Sequence, residues 1–273
     1  MKIGFIGAGN MGEALLAGII RGGTVQAQDI IVYDTDKQKK QTISDKYQIK
    51  LASDNKDLLN QVDTVILAIK PNIYPIVLPE ISGYLTSEHH LLSLAPGYNF
   101  SRIRNLLNQD KLNKSEQIAC KLSLIMSNTS ARIGQAVSAA CFDQNITSKQ
   151  KSLLSELLSG VGMFFEVEEA QMPTITSVIG SVPALVYMVI EGIMQGAILE
   201  GLPAEQAKQI AAGVVASAAN MISETGDHPA ILRDRICSPA GTTIEGVAHL
   251  KNVGFEGKII EAIHIMAEKA HRM

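Results

Sequence analysis

The stretch IGFIGAGNMGEALLA, residues 3–17, places three glycines between a short apolar run and a segment with helical spacing. Gly7, Gly9 and Gly12 have the spacing G-x-G-x-x-G directly after the apolar residues 3–6. In a strand–turn–helix unit of this kind, the first glycine forms the turn and the second lets backbone N–H groups approach a pyrophosphate. The third glycine lets the helix pack closely against the strand. The stretch therefore predicts a dinucleotide-binding turn, with a merely structural turn as the alternative.

Short strand candidates follow this unit and are separated mostly by helical or mixed segments. Strands that alternate with helices predict a mainly parallel, doubly wound sheet of the Rossmann type. The strands are predicted at Ile30–Tyr33, Thr64–Ile69, Leu91–Ala95, Ile118–Ile125, Ala136–Cys141 and Met163–Val167, with a helix at Ser148–Gly160.

The pattern changes at about residue 170, after which no segment has convincing strand character. Long apolar periodic segments predict helices at Val182–Glu200, Ala204–Thr225, Pro229–Ile236, Thr242–Lys251 and Gly257–Lys269. We therefore expect an α/β chain with two domains: a dinucleotide-binding domain at residues 1–169 and an all-helical domain at residues 170–273.

The composition argues against several classes of partner. The formal net charge of 273 residues is −3 and the charges are interspersed, so nucleic acid is not an expected partner and a small molecule is. Three cysteines, far apart in the chain, form neither a zinc motif nor a disulfide framework, which favours the cytoplasm and no metal. We expect no signal peptide, because no basic segment precedes the first strand.

One segment, Val182–Leu199, is almost wholly apolar and so has to be tested as a membrane span. Glu191 and Gln195 interrupt it, and a carboxylate near the middle of a bilayer is costly. We therefore expect a helix buried in protein, at a contact between subunits, and no membrane partner.

An acidic residue follows the second predicted strand in IIVYDTDKQKK. Asp34 lies at the distance from the glycine turn at which a carboxylate accepts hydrogen bonds from the adenosine ribose of NAD. The same carboxylate repels the 2′-phosphate of NADP, whereas Lys37, Lys39 and Lys40 can offset that repulsion. The choice between the two nucleotides stays open at this point, and so does a plain solvated strand end for Asp34.

Two further loops follow strands on the ligand-binding side of a doubly wound sheet. In LAIKPN, Pro71 ends the strand and Lys70 points either to a cofactor or to solvent. In SLAPGYN, Pro96 and Gly97 form a bend near the expected nicotinamide. Neither loop contains a nucleophile beside a base, but hydride transfer needs none, because the cofactor carries the difficult chemistry.

The helical part contains the segment LRDRICSPAGTTIEGVAHLK. Ser238 and Pro239 break one helix, and Thr242 and Thr243 begin the next, so hydroxyl groups and free N–H groups converge on one point. Such a helix terminus suits a small carboxylate, whereas an ordinary helix cap is the alternative.

Together these segments resemble the pyrroline-5-carboxylate reductase family over nearly the whole chain. GFIGAGNMGEALLAGI resembles the opening of the family, LAIKPN its A-V-K-P turn, IMSNTSA its M-P-N-T-P segment, and ETGDHPAILRDRICSPAGTTIEGV its C-terminal signature. The resemblance implies NAD(P)H-dependent reduction of 1-pyrroline-5-carboxylate to L-proline in a homodimer or a larger assembly of dimers.

The resemblance also implies roles for individual residues. Thr243 would hydrogen-bond the ring nitrogen as the catalytic group, and the substrate would be bound by Ser181, Ser238, Ala240, Gly241 and Thr242. NADPH, with NADH as the alternative, would be bound by Gly7, Gly9, Asn10, Met11, Gly12, Asp34, Lys37, Asn55, Ala68, Lys70, Pro71 and Ala95.

The sequence departs from the family pattern at several positions. Val182 stands where G-S-G-P-A-Y has its second glycine, Ala240 replaces a second glycine, and Pro96 replaces an alanine. Ser127 and Ser130 replace prolines. These changes put catalytic efficiency or substrate identity in doubt and leave the fold intact. They keep open a non-catalytic relative that binds nucleotide and dimerises.

A β-hydroxyacid dehydrogenase is the rival enzyme class, because it also joins a dinucleotide domain to a helical domain. Those enzymes use a lysine on an interdomain helix as their acid–base group. This sequence has no Lys or Arg between Lys151 and Lys208, so the helix expected near residues 178–191 cannot supply it.

Overall fold

A computed structural model of the protein describes residues 1–109 and 120–273. Within those ranges the chain forms one eight-stranded sheet followed by helices. The strands are β1 (Ile3–Ile6), β2 (Ile30–Tyr33), β3 (Lys50–Leu51), β4 (Thr64–Leu67), β5 (His90–Ser93), β6 (Lys121–Met126), β7 (Ala136–Phe142) and β8 (Gly162–Glu166).

The strand order is β3-β2-β1-β4-β5-β6-β7-β8, and only the β6–β7 pair is antiparallel among the described strand pairs. Ile3 lies opposite Ile30 on one side and opposite Thr64 on the other, so β1 is an inner strand, and the order in which strands are added to the sheet reverses between β1 and β4. Doubly wound sheets bind ligands at such a switch point, beyond the carboxyl ends of the strands. The predicted mainly parallel Rossmann-type sheet is confirmed.

Twelve α-helices are described outside residues 110–119. They are α1 (Asn10–Gly22), α2 (Lys37–Tyr47), α3 (Asn55–Leu59), α4 (Tyr74–Ser82), α5 (Phe100–Leu107), α6 (Ser148–Ser159), α7 (Met172–Ile175), α8 (Val182–Leu199), α9 (Ala204–Thr225), α10 (Pro229–Arg235), α11 (Thr242–Asn252) and α12 (Phe255–His271). The predicted helical second part is confirmed, and the predicted bounds of its five helices differ from these by at most a few residues.

The predicted strands are present with small shifts at their ends. The strand predicted at Ile118–Ile125 begins at Lys121, and Ile118 itself lies outside the described residues. The sequence missed β3, because two residues are too few to show a period of two.

The inner strands of the sheet are buried on both faces, as expected when helices cover a parallel sheet, whereas the edge strands β3 and β8 are partly exposed. On one face β1 residues such as Phe5 pack with Leu15 and Ile19 of α1. On the other face Ile6 and Leu67 pack with Leu78 and other residues of α4. These two clusters hold the carboxyl ends of β1 and β4, which carry the glycine turn and the LAIKPN loop, on a rigid base.

The chain divides into two compact units, residues 1–180 with 267–273 and residues 181–266. The predicted boundary between residues 169 and 170 stays a prediction. Residues 170–180 join the first unit because Ile179 packs with Met126 and Ala139, and Met172 and Ile175 pack against the same cluster.

One helical segment, Glu169–Leu199, is long and apolar enough to span a membrane by length and composition, and only 11% of its most apolar window is buried within one chain. Its exposed side chains include Tyr187 and Met188. A monomer therefore leaves an apolar helix surface uncovered.

Candidate functional site

The glycine turn requires glycine at two positions for reasons visible in the backbone. Gly7 has φ +101°, and a Cβ there would lie 2.7 Å from the carbonyl oxygen of Ala68. A Cβ on Gly12 would lie 2.8 Å from the Gly7 carbonyl oxygen and 2.9 Å from the Ala68 Cβ. Gly7 therefore permits the turn, and Gly12 permits α1 to pack closely against it.

Gly9 differs from both, because its surroundings are open. It has an ordinary φ of −67°, and a Cβ there would have as nearest atoms the Ala68 oxygen at 3.9 Å and the Lys39 Nζ at 4.0 Å. Gly9 is also the N-cap of α1, and no side chain caps that helix. The space at Gly9 and the uncapped N-terminus of α1 together suit a phosphate group.

A cavity of about 450 Å³ opens beside this turn. Six of the predicted cofactor residues line it: Gly7, Gly9, Asp34, Asn55, Ala68 and Lys70. Asn10, Met11 and Gly12 lie in the first turn of α1 and do not line it, and neither do Lys37, Pro71 and Ala95. The structure thus brings together residues from four loops and helices that lie far apart in the sequence.

Asp34 anchors the glycine turn. Its Oδ2 accepts a hydrogen bond from the backbone N–H of Ala8 at 2.7 Å, and its Oδ1 accepts one from the N–H of Asp36 at 2.9 Å. A carboxylate has about four acceptor positions, so Asp34 retains capacity for a ribose hydroxyl. The expected contact with the ribose stays a prediction.

Of the three lysines near the start of α2, the structure places Lys39 in the cavity wall. Lys37 is exposed at the first position of α2, and the Nζ of Lys40 donates to the Ala52 carbonyl oxygen at 3.3 Å. Asp36 caps α2 by accepting from the N–H of Lys39, which fixes where the helix begins. The Asp36 cap was the sequence signal that could have singled out Lys39, because it sets the helix phase.

Two features of the cavity fit a nucleotide. Asn55 is only 4% exposed, yet its Oδ1 has no hydrogen-bond partner within the described ranges. A buried acceptor without a partner is costly, and a ligand donor would remove that cost. Ile76 also lines the cavity and is 64% exposed, an apolar surface that suits a flat aromatic base.

Two tyrosines tie the loops after β4 and β5 together. The hydroxyl of Tyr98 donates to the Pro71 carbonyl oxygen at 2.9 Å. The hydroxyl of Tyr74 donates to the Leu67 carbonyl oxygen at 3.1 Å. The Tyr74 and Tyr98 rings are 4.5 Å apart between centroids. Burial raises the pKa of Tyr74, which keeps its hydroxyl protonated as a donor. The loop that carries Lys70 is therefore held rigidly.

Ala95 lies in a second cavity of the same unit, of about 580 Å³, together with Pro96 and Gly97. Met126 and Thr176 also line this cavity. It lies beyond the carboxyl ends of β5 and β6, where the sequence predicts the nicotinamide.

The predicted substrate loop lies in the helical unit and forms a tight turn. The N–H of Gly241 donates to the Ser238 carbonyl oxygen at 3.1 Å, with Pro239 at the second position. Ala240 has φ +57°, so the third position is left-handed, as in a type II turn. A Cβ on Gly241 would lie 2.3 Å from the Ser238 Oγ, so a larger residue there would force the Ser238 hydroxyl to turn away.

The two departures from the family pattern therefore differ in consequence. Ala240 adopts the strained conformation that glycine adopts freely. Val182 begins α8 and is not among the residues with positive φ, so its β-branched side chain meets no left-handed backbone there.

Thr243 lies in the first turn of α11, whose N-cap is Gly241. No side chain caps this helix, and the described residues offer no hydrogen-bond partner to the hydroxyls of Thr242 and Thr243. The choice between a carboxylate site and an ordinary helix cap stays a prediction. Ser181 precedes α8 and likewise caps nothing.

Among the described residues, no three His, Cys, Asp or Glu side chains lie together so that they could hold a metal ion. Cys120 and Cys141 are buried and Cys237 is partly exposed, and all three are free thiols.

Two family models match the chain. One described as pyrroline-5-carboxylate reductase dimerisation matches residues 169–273, and one described as NADP oxidoreductase, coenzyme F420-dependent, matches residues 2–97. Together they correspond to the helical part and to the first half of the sheet.

Individual proteins match over their full length. The pyrroline-5-carboxylate reductase of Methanosarcina acetivorans is 34% identical over 272 residues, covering 100% of this chain and 97% of that protein. The enzyme of the same name from Escherichia coli K12 is 33% identical, covering 100% and 98%.

Solved structures of the same kind are also similar. The pyrroline carboxylate reductase of Plasmodium falciparum, with NADP bound, has a TM-score of 0.88 at 27% identity and covers 100% of this chain and 97% of its own. The 1-pyrroline-5-carboxylate reductase of Streptococcus pyogenes has a TM-score of 0.86 at 28% identity, with coverage of 100% and 99%.

Proposed function

Because this chain belongs to the pyrroline-5-carboxylate reductase family, we propose that its own turn at Ser238–Thr243 holds the substrate while the cavity at Gly9 holds the nucleotide. The protein is an NADPH-dependent oxidoreductase that reduces 1-pyrroline-5-carboxylate to L-proline, the last step of proline biosynthesis. The observation that carries the residue assignment is the uncapped first turn of α11, with a free hydroxyl on Thr243.

The proposed nucleotide site is centred on the glycine turn at residues 7–12. The N–H groups at the start of α1 and the open space at Gly9 hold the pyrophosphate, and Asp34 keeps the turn in place through Ala8. Lys39 lies where a cation can neutralise a phosphate. When bound, the reduced nicotinamide supplies the hydride. NADPH is the cofactor. NADH is the alternative, because the Asp34 carboxylate can accept hydrogen bonds from a ribose that carries no 2′-phosphate.

The substrate site uses the free N–H groups at the start of α11 to bind the carboxylate of the pyrroline ring. The turn formed by Ser238, Ala240 and Gly241 brings those groups to one point, and the Ser238 and Thr242 hydroxyls add donors beside them. Ser181, at the start of α8, is assigned to substrate binding on the family motif alone.

Thr243 acts on the ring nitrogen. Its hydroxyl donates to, or accepts from, that nitrogen and so fixes the imine carbon in position for attack by hydride. The bound nucleotide would supply hydride to the imine carbon, the C=N π bond would break, and the protonated ring nitrogen would keep that electron pair as the secondary amine of proline. Because a cyclic imine is partly protonated near neutral pH, a hydroxyl suffices in place of a strong general acid.

The helical domain supports a homo-oligomer, since its family model is one of dimerisation. We propose a homodimer or a larger assembly of dimers, in which a second subunit covers the exposed apolar side chains of α8 such as Met188. Light scattering at micromolar concentration that finds only monomer would contradict this. Three free thiols favour the reducing cytoplasm as the location.

The experiment that tests the function is direct. Purified protein is mixed with 1-pyrroline-5-carboxylate and either NADPH or NADH, and the absorbance of the reduced nicotinamide is followed. Loss of absorbance with formation of proline is the expected result. Tight nucleotide binding without turnover would instead indicate a non-catalytic relative.

A further inference from the structure

Asn55 has one side-chain partner in the nucleotide cavity. Its Nδ2 donates to the Oε1 of Glu80 at 2.9 Å, whereas its Oδ1 has no partner among the described residues. Both residues line the cavity that also contains Gly9 and Lys39. The two residues are far apart in sequence, Asn55 at the start of α3 and Glu80 near the end of α4.

The chemistry of the pair fixes the orientation of the amide. An ionised glutamate only accepts hydrogen bonds, so the NH₂ group of Asn55 must face Glu80. Turning the amide over would place two oxygens against each other and leave the NH₂ group buried without a partner. Glu80 therefore determines that an acceptor, and not a donor, is the free atom of Asn55.

The position of Glu80 suits this task. Ile73, Val77 and Glu80 have helical spacing and all line the cavity, so they form one face of the segment around α4. Leu78 and Ile81 of the same helix are fully buried in the core. The backbone of Glu80 is thus held on a rigid element, although its own side chain is exposed.

We propose that Glu80 is a positioning residue for the nucleotide: it holds the Asn55 amide so that Oδ1 accepts a hydrogen bond from a donor of the bound nucleotide. Glu80 acts through Asn55 and does not contact the reacting atoms. This inference rests on the proposed nucleotide site.

A double-mutant cycle on NADP⁺ affinity, measured by titration calorimetry with the full-length protein, tests the proposal. Glu80→Ala should raise the Kd about three- to tenfold, the equivalent of one ordinary hydrogen bond. Asn55→Ala should raise it at least as much. Adding Glu80→Ala to Asn55→Ala should change the Kd less than about twofold, because the residue through which Glu80 acts is gone.

Three readouts separate positioning from a general structural effect. Glu80→Gln should stay near the wild-type Kd, because the glutamine Oε1 still accepts from Asn55. Glu156→Ala, at an exposed glutamate of α6 outside the cavity, is the matched control and should change nothing. In the enzyme assay, Glu80→Ala should raise the KM for NADPH and leave kcat unchanged, since chemistry is not affected.

If Asn55→Ala does not fold, a pair that exchanges donor and acceptor serves instead. Asn55→Asp places two acceptors together and should weaken binding, whereas Asn55→Asp with Glu80→Gln restores one donor and should recover most of the affinity. No recovery by this pair would overturn the proposal.

The calorimetry also distinguishes a failure of the proposed nucleotide site from a failure of the role of Glu80. Wild-type protein that binds no NADP⁺ would contradict the proposed nucleotide site itself. Wild-type binding with additive losses in the cycle would contradict only the role of Glu80, because it would then contact the nucleotide independently of Asn55.

Discussion

The carboxylate of Asp34 accepts a hydrogen bond from the backbone N–H of Ala8 at 2.7 Å, and so joins the end of β2 to the middle of the glycine turn. Ala8 lies between the glycine that forms the turn and the one that leaves room for a phosphate. An acidic residue expected to recognise a ribose therefore also holds the phosphate-binding backbone in shape.

Asp34→Ser separates these two tasks. Loss of the Ala8 contact should weaken both NADH and NADPH by roughly three- to tenfold. Removal of the negative charge should shift the ratio of affinities towards NADPH. Both dissociation constants are measured by titration calorimetry. An unchanged ratio would place Asp34 away from the 2′ position of the ribose.

Variants of Lys39 and Lys37 can be compared to test which lysine recognises the 2′-phosphate of NADPH. Lys39→Met should weaken NADPH more than NADH, by about five- to fiftyfold for the loss of one cation beside a phosphate. Lys37→Met removes the same charge from an exposed position outside the cavity and should leave the ratio unchanged. Equal changes in the ratio of NADPH to NADH affinity in the two variants would show that neither lysine contacts the phosphate specifically.

Gly9 and Gly12 should respond in opposite ways to an added side chain. Gly9→Val should abolish nucleotide binding with little change in the melting temperature, because the space that the side chain fills is free in the folded protein. Gly12→Ala should instead lower the melting temperature, since its Cβ would meet the Gly7 oxygen at 2.8 Å. Normal nucleotide affinity in Gly9→Val would refute the assignment of the glycine turn.

Ala240→Gly should relieve strain in the substrate turn. A left-handed non-glycine residue costs roughly 1–2 kcal/mol, so the variant should gain about 1 kcal/mol in the free energy of unfolding and a few-fold in kcat/KM. Gln48→Gly is the matched control, because Gln48 has φ +56° at the end of α2, outside the substrate turn. It should gain stability without a change in turnover. A gain in kcat/KM from both variants would argue against a specific effect of the turn.

Much of the sheet and the helical part was predictable from sequence, because apolar patterns over four or more residues reflect burial directly. The roles of Gly7 and Gly12 were predictable for the same reason: a short-range motif imposes a local backbone. The proposed roles of Thr243 and of the turn at residues 238–243 rest on the long C-terminal match and on turn residues at fixed spacing, and they stay predictions.

Contacts between distant segments were not predictable. Lys39 rather than Lys37 reaches the cavity because Asp36 sets the start of α2, and a shift of two residues turns a helical side chain by about half a circle. The bond between Asn55 and Glu80 joins two helices through tertiary packing that no local pattern encodes. The hydrogen bond that the Ala8 N–H donates to Asp34 also joins segments far apart in the sequence.

The central claim is that the hydroxyl of Thr243 acts on the substrate, and a comparison of three variants tests it most directly. Steady-state kcat/KM for 1-pyrroline-5-carboxylate is measured for Thr243→Ser, Thr243→Val and Thr243→Ala, with NADPH affinity as the control. Val and Ala should lose roughly ten- to a thousandfold, the range of one positioned donor, while Ser retains much of the activity and nucleotide affinity stays unchanged in all three. Turnover by the Val variant as fast as that of the Ser variant would contradict the claim.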